Sequence, residues 1–180
     1  MAWTIDSAHS QITFSVRHMM ISNVHGRFEK FTGEVDFNEA DPTRSLVNVQ
    51  IEAESINTKE PQRDGHLRSA DFFDVANFPV IGFKSTRVEK VNDTHGRIYG
   101  DLTLHGVTHE VVLDTEYAGQ SKMWGKTAAG FSASTRINRK NWGLNWNQAV
   151  ETGGILVGED ININIELEIV KVEVAQAAAA

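Results

Sequence analysis

ININIELEIVKVEV, Ile161–Val174, alternates with a period of two. Ile161, Ile163, Ile165, Leu167 and Ile169 take one face; Asn162, Asn164, Glu166 and Glu168 take the other. Successive side chains of extended backbone point to opposite sides, so this is a half-buried β-strand. The apolar phase then slips by one residue to Val170, Val172 and Val174. A slip in an otherwise strict period predicts a β-bulge.

The same alternation recurs upstream. Ser10–His18 sets Ile12, Phe14, Val16 and His18 on one face. Phe28–Phe37 reads as a strand with Phe31, Gly33, Val35 and Phe37 inward, and Ser45–Ile56 as a long strand with Val47, Val49, Ile51, Ala53 and Ser55 inward. Val80–Val91 carries Ile81 and Phe83; the next strand carries Ile98, Gly100, Leu102 and Leu104. His105-Gly106-Val107-Thr108 reads as a tight hairpin in which Gly106 takes a positive φ. The returning strand offers Val111, Leu113, Thr115 and Tyr117, and the strand after it Ala129, Phe131, Ala133, Thr135 and Ile137. About eight such strands, each with one polar face and joined by short turns, predict an all-β fold, a closed eight-stranded antiparallel barrel. Closure removes the exposed edges that strands this long would otherwise present.

One stretch interrupts the alternation: PQRDGHLRSADFFDVANFP, Pro61–Pro79. Helical spacing of Arg63, Leu67 and Ala70 predicts a short helical segment near residues 61–73, with Pro61 in its first turn. Phe72, Phe73 and Phe78 need something apolar to cover, so the segment is expected to close or gate one end of the barrel.

Composition sets the outer limits. The chain of 180 residues is expected to form one domain over residues 1–174, with an Ala-rich tail at 175–180. Its formal net charge of -7 argues against nucleic acid and against anionic membrane surfaces, both of which need a basic footprint. Without cysteine there is no disulfide and no thiolate chemistry. No stretch is long and apolar enough for stable membrane insertion. The start of the chain carries no leader pattern, so it reads as cytoplasmic, or as periplasmic if a leader was removed.

Candidate chemistry is sparse. No GxSxG, HExxH, P-loop or GxGxxG occurs. His18 and His25 flank the Met19–Ser22 turn and could converge with His66 at a barrel mouth, giving a metal- or haem-binding or enzymatic barrel as an alternative. His105 and His109 flank a turn and need not share a face. Arg63, Arg68, Arg136, Arg139 and Lys140 are expected to pair on the surface with Asp64, Asp71 and Asp74, or else to meet the head of a ligand. A packed barrel with Trp142 and Trp146 as an interaction patch is the third reading. Small inward residues beside large ones suit a full barrel and a hollow one equally well.

Four stretches in order, WTIDSAHSQITFSVRHM, GHLRSADFFDVANFP, GDLTLHGVTHEVVLD and GFSASTRINRKNWGLNW, resemble the YceI-like family of polyisoprenoid-binding, lipocalin-like lipid carriers. The likeness runs from Trp3 to about Val172. It implies an extended lipocalin-like barrel whose apolar pore takes an isoprenoid quinone or a polyprenyl phosphate. It supplies no catalytic residue, no metal and no cofactor beyond the bound lipid, and it allows for a homodimer. The expected lipid-binding lining is Phe14, Val16, Phe31, Val35, Phe37, Val49, Ile51, Phe83, Leu102, Leu104, Leu113, Phe131, Ala133, Ile163 and Ile165. Phe72, Phe73 and Phe78 are expected at one end.

Overall fold

A computed structural model of the chain describes residues 3–172. The expected Ala-rich tail lies outside the described residues. In chain order the elements are β1 (Trp3–Ile5), β2 (Gln11–His18), β3 (Ser22–Phe28), β4 (Phe31–Asp36), β5 (Leu46–Glu52), β6 (Ile56–Asn57), α1 (Pro61–Arg68), β7 (Val80–Lys90), β8 (His95–Leu104), β9 (Val107–Met123), β10 (Lys126–Asn138) and β11 (Val157–Val172). Neighbours pair in the order β1-β4-β5-β7-β8-β9-β10-β11, and β11 pairs back with β1. The ring is a closed antiparallel barrel of eight strands, as the alternation predicts.

Closure has an unusual detail. One edge of β11 is shared by two strands in succession. β1 takes Ile169 and Val170, while β2 takes Val157 to Glu166. A single turn of 3-10 helix at Ser7–His9 steps the chain from one strand to the other. Beyond β2 the sheet continues through β3 to the short β6.

Four features differ from the sequence reading. The phase slip after Ile169 is not a bulge. Ala129↔Ile169 and Ala128↔Val170 continue one unbroken ladder, and Val170 is simply an apolar residue on the outer phase. The register of β11 shifts instead between Val157 and Ile161, against β2. The expected strand 28–37 is broken at Glu29-Lys30, where β3 gives way to β4. The expected strand 45–56 ends at Glu52; a 3-10 turn at Ala53–Ser55 follows, and the Ser55 hydroxyl donates to the Glu52 carbonyl. Helix α1 stops at Arg68 because Ser69 is extended and its hydroxyl donates to the His66 carbonyl.

Polar anchors hold α1 where it lies. Glu60 caps its first turn by accepting from the backbone N–H of Gln62 and Arg63. Asp64 is buried and accepts from both the N–H and the hydroxyl of Thr58. Arg63 donates to the Thr58 hydroxyl and carbonyl, and Arg68 to the carbonyls of Glu54 and Ile56. These arginines therefore do not pair with the aspartates as expected. Asp71 takes His66, and Asp74 takes Asn77.

The candidate lipid-binding cavity

The barrel is hollow. A cavity of about 610 Å³ runs along its inside, a size at which known pockets enclose a small-molecule ligand. Inward rows of paired residues build its wall. Thr115, Ala133, Ile165, Ile12 and Phe28 face one another across five strands. Phe31 and Ile51 oppose one another on β4 and β5, and Val49, Phe83 and Leu102 on β5, β7 and β8.

Every residue of the expected lining faces this cavity, from Phe14 and Val16 on β2 to Ile163 and Ile165 on β11. At the end near α1, Phe72 and Phe73 line it together with Leu67, Arg139 and Leu144. Phe73 stands edge-on to Phe28 at 5.9 Å, and Phe72 packs on His66 and Trp146. Phe72, Arg139 and Leu144 are buried, so this end is closed. Phe78 is the exception. It sits outside the cavity, against His105 and the Cα of Gly106, because the turn after α1 carries it past the barrel end to the β8–β9 hairpin. His105 and Gly106 both have positive φ, as that two-residue turn demands.

The opposite end is open. There the lining passes through Glu39, Pro42 and Ser45 on one side and Lys90 and Asn92–Gly96 on the other, out to Asp93, whose side chain is 96% exposed. Just inside lies a cluster of Phe37, Tyr117 and Phe131, with ring centroids 5.2–5.6 Å apart. Trp3 backs Phe37 at 5.8 Å. Glu39 accepts from Lys171 at 2.6 Å, and this bond, with a second from the Gln120 side chain, holds its carboxyl below the usual range.

Sequence reasoning missed the mouth, Leu144, and the role of Arg139. The mouth residues lie in turns, where no alternation marks a face. Arg139 is 3% exposed and lines the closed end. Its guanidinium donates to the carbonyls of Gly158, Leu144, Trp146 and Val157, so it ties the 144–158 segment to the barrel rather than pairing at the surface. Burial pulls its pKa down from the ordinary arginine value. Arg136 bonds Asn162, and Lys140 bonds Glu159.

Trp142 is no surface patch either. It is 2% exposed and donates its indole N–H to the Leu102 carbonyl. The ladder between β9 and β10 ends at Asp114↔Ser134, and the Arg139–Trp142 turn spans the gap beyond. His105 and His109 each donate to this turn, at the Trp142 and Asn141 carbonyls.

The three histidines do not converge. His18 shares the inward phase of Val16, half-buried; His25 pairs with Ser15 on the outer face; His66 bonds Asp71. Among the described residues one group has metal-ligand spacing: Asp6, His9 and Glu168, outside the cavity, where His9 already bonds Asp6 and lies 4.0 Å from Glu168.

A closed antiparallel barrel, sealed at one end and open at the other around an apolar interior, has the architecture of a binding protein for an elongated apolar ligand. The chain belongs to the YceI-like family, whose domain model matches residues 3–169. It is 39% identical over 168 residues to the UPF0312 protein SA2479 of Staphylococcus aureus (strain N315), covering 92% of this chain and 95% of that one. The YCEI protein of Campylobacter jejuni superposes with a TM-score of 0.76 at 34% identity, over 87% of this chain and 90% of that chain. BcnA of Burkholderia cenocepacia shares the fold, with a TM-score of 0.78 at 19% identity over 91% and 98% of the two chains. So does a polyisoprenoid binding domain from Saccharophagus degradans implicated in plant cell wall breakdown, with a TM-score of 0.65 at 14% identity over 93% and 97%. No helix among the described residues is long and apolar enough to cross a membrane.

Proposed function

We propose that this chain is a non-catalytic carrier that holds a long polyisoprenoid lipid in its barrel. The observation that carries the reading is the cavity itself, apolar along its length, closed beside Phe72 and open beside Asp93. Each buried methylene contributes about 0.8 kcal/mol. A chain of isoprene units can therefore bind without a polar contact, and affinity rises with each unit until the cavity is full. The family and the polyisoprenoid-binding relative of the same fold support this ligand class.

Of the two head groups considered, an isoprenoid quinone fits the mouth better than a polyprenyl phosphate. Phe37, Tyr117 and Phe131 offer aromatic faces to a planar, uncharged ring. Glu39, Glu89 and Asp93 at the mouth are each paired with a cation, Lys171, Arg87 and Arg97, and Lys90, so the preference rests on the aromatic cluster and not on charge.

Native mass spectrometry of protein from its own host, followed by organic extraction, tests the reading. A bound mass that extracts as a quinone is expected. A polyprenyl phosphate would correct the head group, and an apo mass unchanged after incubation with isoprenoids would overturn the function.

A further inference from the structure

We propose that the β9–β10 hairpin is a docking arm that sets the mouth of the barrel against the surface of a lipid bilayer. β8 stops pairing with β9 at His95↔Glu116. From Ala118 to Met123, β9 has β10 as its only strand partner among the described residues, so the hairpin stands beyond β8 on that side, while β11 backs β10 as far as Lys126↔Val172. At about 3.3 Å per residue, its tip lies roughly 13 Å beyond Gln120, a residue of the cavity lining.

The tip is built unlike a soluble turn. Its sequence is Lys122-Met123-Trp124-Gly125-Lys126. Trp124 is 92% exposed and Met123 60%. A tryptophan there leaves a large apolar ring in water, at a cost the fold does not recover internally. Tryptophan is the side chain of the headgroup layer, where its ring is buried and its N–H stays wet. Lys126 suits the same place, since a lysine stem lies along apolar surface while its ammonium group reaches lipid phosphates. The tip is a two-residue turn, Trp124-Gly125, between β9 and β10, too small a surface for a folded partner and suited to insertion into a layer.

Position separates this tip from the other exposed apolar turn. Met19, Met20 and Ile21 are also exposed, but they adjoin Leu156 and Gly154, next to the closed end. The arm stands at the open end, where a lipid would leave or enter. The net charge of -7 opposes adsorption of the whole molecule to an anionic surface, so contact is confined to the tip.

The purpose of docking rests on the carrier reading; the docking itself does not. The test therefore uses the full chain with phosphatidylcholine vesicles and no isoprenoid. Trp3 and Trp142 are buried and Trp146 is half-buried at the closed end, so the part of the emission lost in Trp124→Ser should be the part that shifts to the blue and is quenched by brominated lipid. Trp124→Ser should reduce vesicle co-sedimentation about tenfold or more, as expected for loss of a large apolar contact. It should also slow isoprenoid transfer between vesicles while leaving the affinity for the isoprenoid unchanged. Ala133→Trp, which blocks the cavity, should still co-sediment. Equal co-sedimentation of wild type and Trp124→Ser would overturn the proposal. So would protection of Trp124 by self-association without vesicles, which would assign the arm to a second copy. Docking without uptake would keep the arm and sink the carrier.

Discussion

The ring of Phe83 lies across Gly100, and a β-carbon on Gly100 would collide with Phe83 Cζ. The two are diagonal neighbours, since Phe83 pairs with Leu102 and Ser85 with Gly100. The wall of the barrel thus packs large against small, as a filled barrel does, and still encloses a cavity. Gly100→Ala should force this ring aside and lower stability by about 1–3 kcal/mol. Thermal unfolding would register it as a drop of several degrees, and an unchanged midpoint would refute the contact.

Ala133 stands opposite Ile165 and Thr115 on the cavity wall. Ala133→Trp should fill the space in front of it and abolish lipid uptake with the fold intact. Native mass spectrometry with circular dichroism checks both halves. A folded variant that still takes up lipid would remove the cavity from the proposed function.

The closed end separates Phe73 from Phe78. Phe73→Ala should weaken lipid retention, because the ring lines the cavity. Phe78→Ala should cost stability at the His105-Gly106 turn yet leave retention unchanged. Equal retention in the two variants would contradict this placement.

Arg139→Met removes the donors to four carbonyls, that of Leu144 buried and those of Trp146, Val157 and Gly158 part-buried, of which Val157 keeps its bond from Asn147. Unpaired buried acceptors cost about 1–3 kcal/mol each, and partial rescue by water leaves a net loss of about 3 kcal/mol or more. For a chain of this length that is a fall in Tm of about 6–12 °C. A smaller fall would mean that the 144–158 segment stands without its arginine.

His9 and Asp6 should titrate as a pair. The bond that His9 donates to the Asp6 carboxylate raises the His9 pKa above its usual 6.5, and the same bond holds Asp6 below 3.8. The His9 contribution is complete below pH 6.5 and is lost as pH rises through its folded value. The Asp6 contribution is present above pH 3.8 and is lost on acidification. Proton NMR should show His9 titrating above 6.5, and Asp6→Asn should return it toward that value.

Much of the barrel was legible because its evidence is local. Ile161 to Ile169, Phe14 and Val16, and Leu102 and Leu104 declare their faces by alternation alone. What stayed hidden depends on partners distant in the chain. Trp142 and Arg139 sit in RKNWGLNWN, a polar stretch that reads as surface. Their burial follows from the gap between β9 and β10 and from carbonyls as far away as Gly158. Ala53 and Ser55 keep the phase of β5 through a 3-10 turn, so periodicity could not mark where that strand ends. Phe78 looked like a partner of Phe72 and Phe73, but nearness in sequence does not survive the turn between them.

The pairing of Thr4 with Val170 joins residues from opposite ends of the chain. The barrel therefore has no closed intermediate during its own synthesis. β1 can join the growing meander through β4 and β2 can form a hairpin with β3, but the edge that both strands share with β11 stays unpaired until β11 emerges. Contacts of this span make folding slow. Until Val170 appears, the future interior is an open apolar trough, and chaperones or membranes meet it before the finished cavity exists.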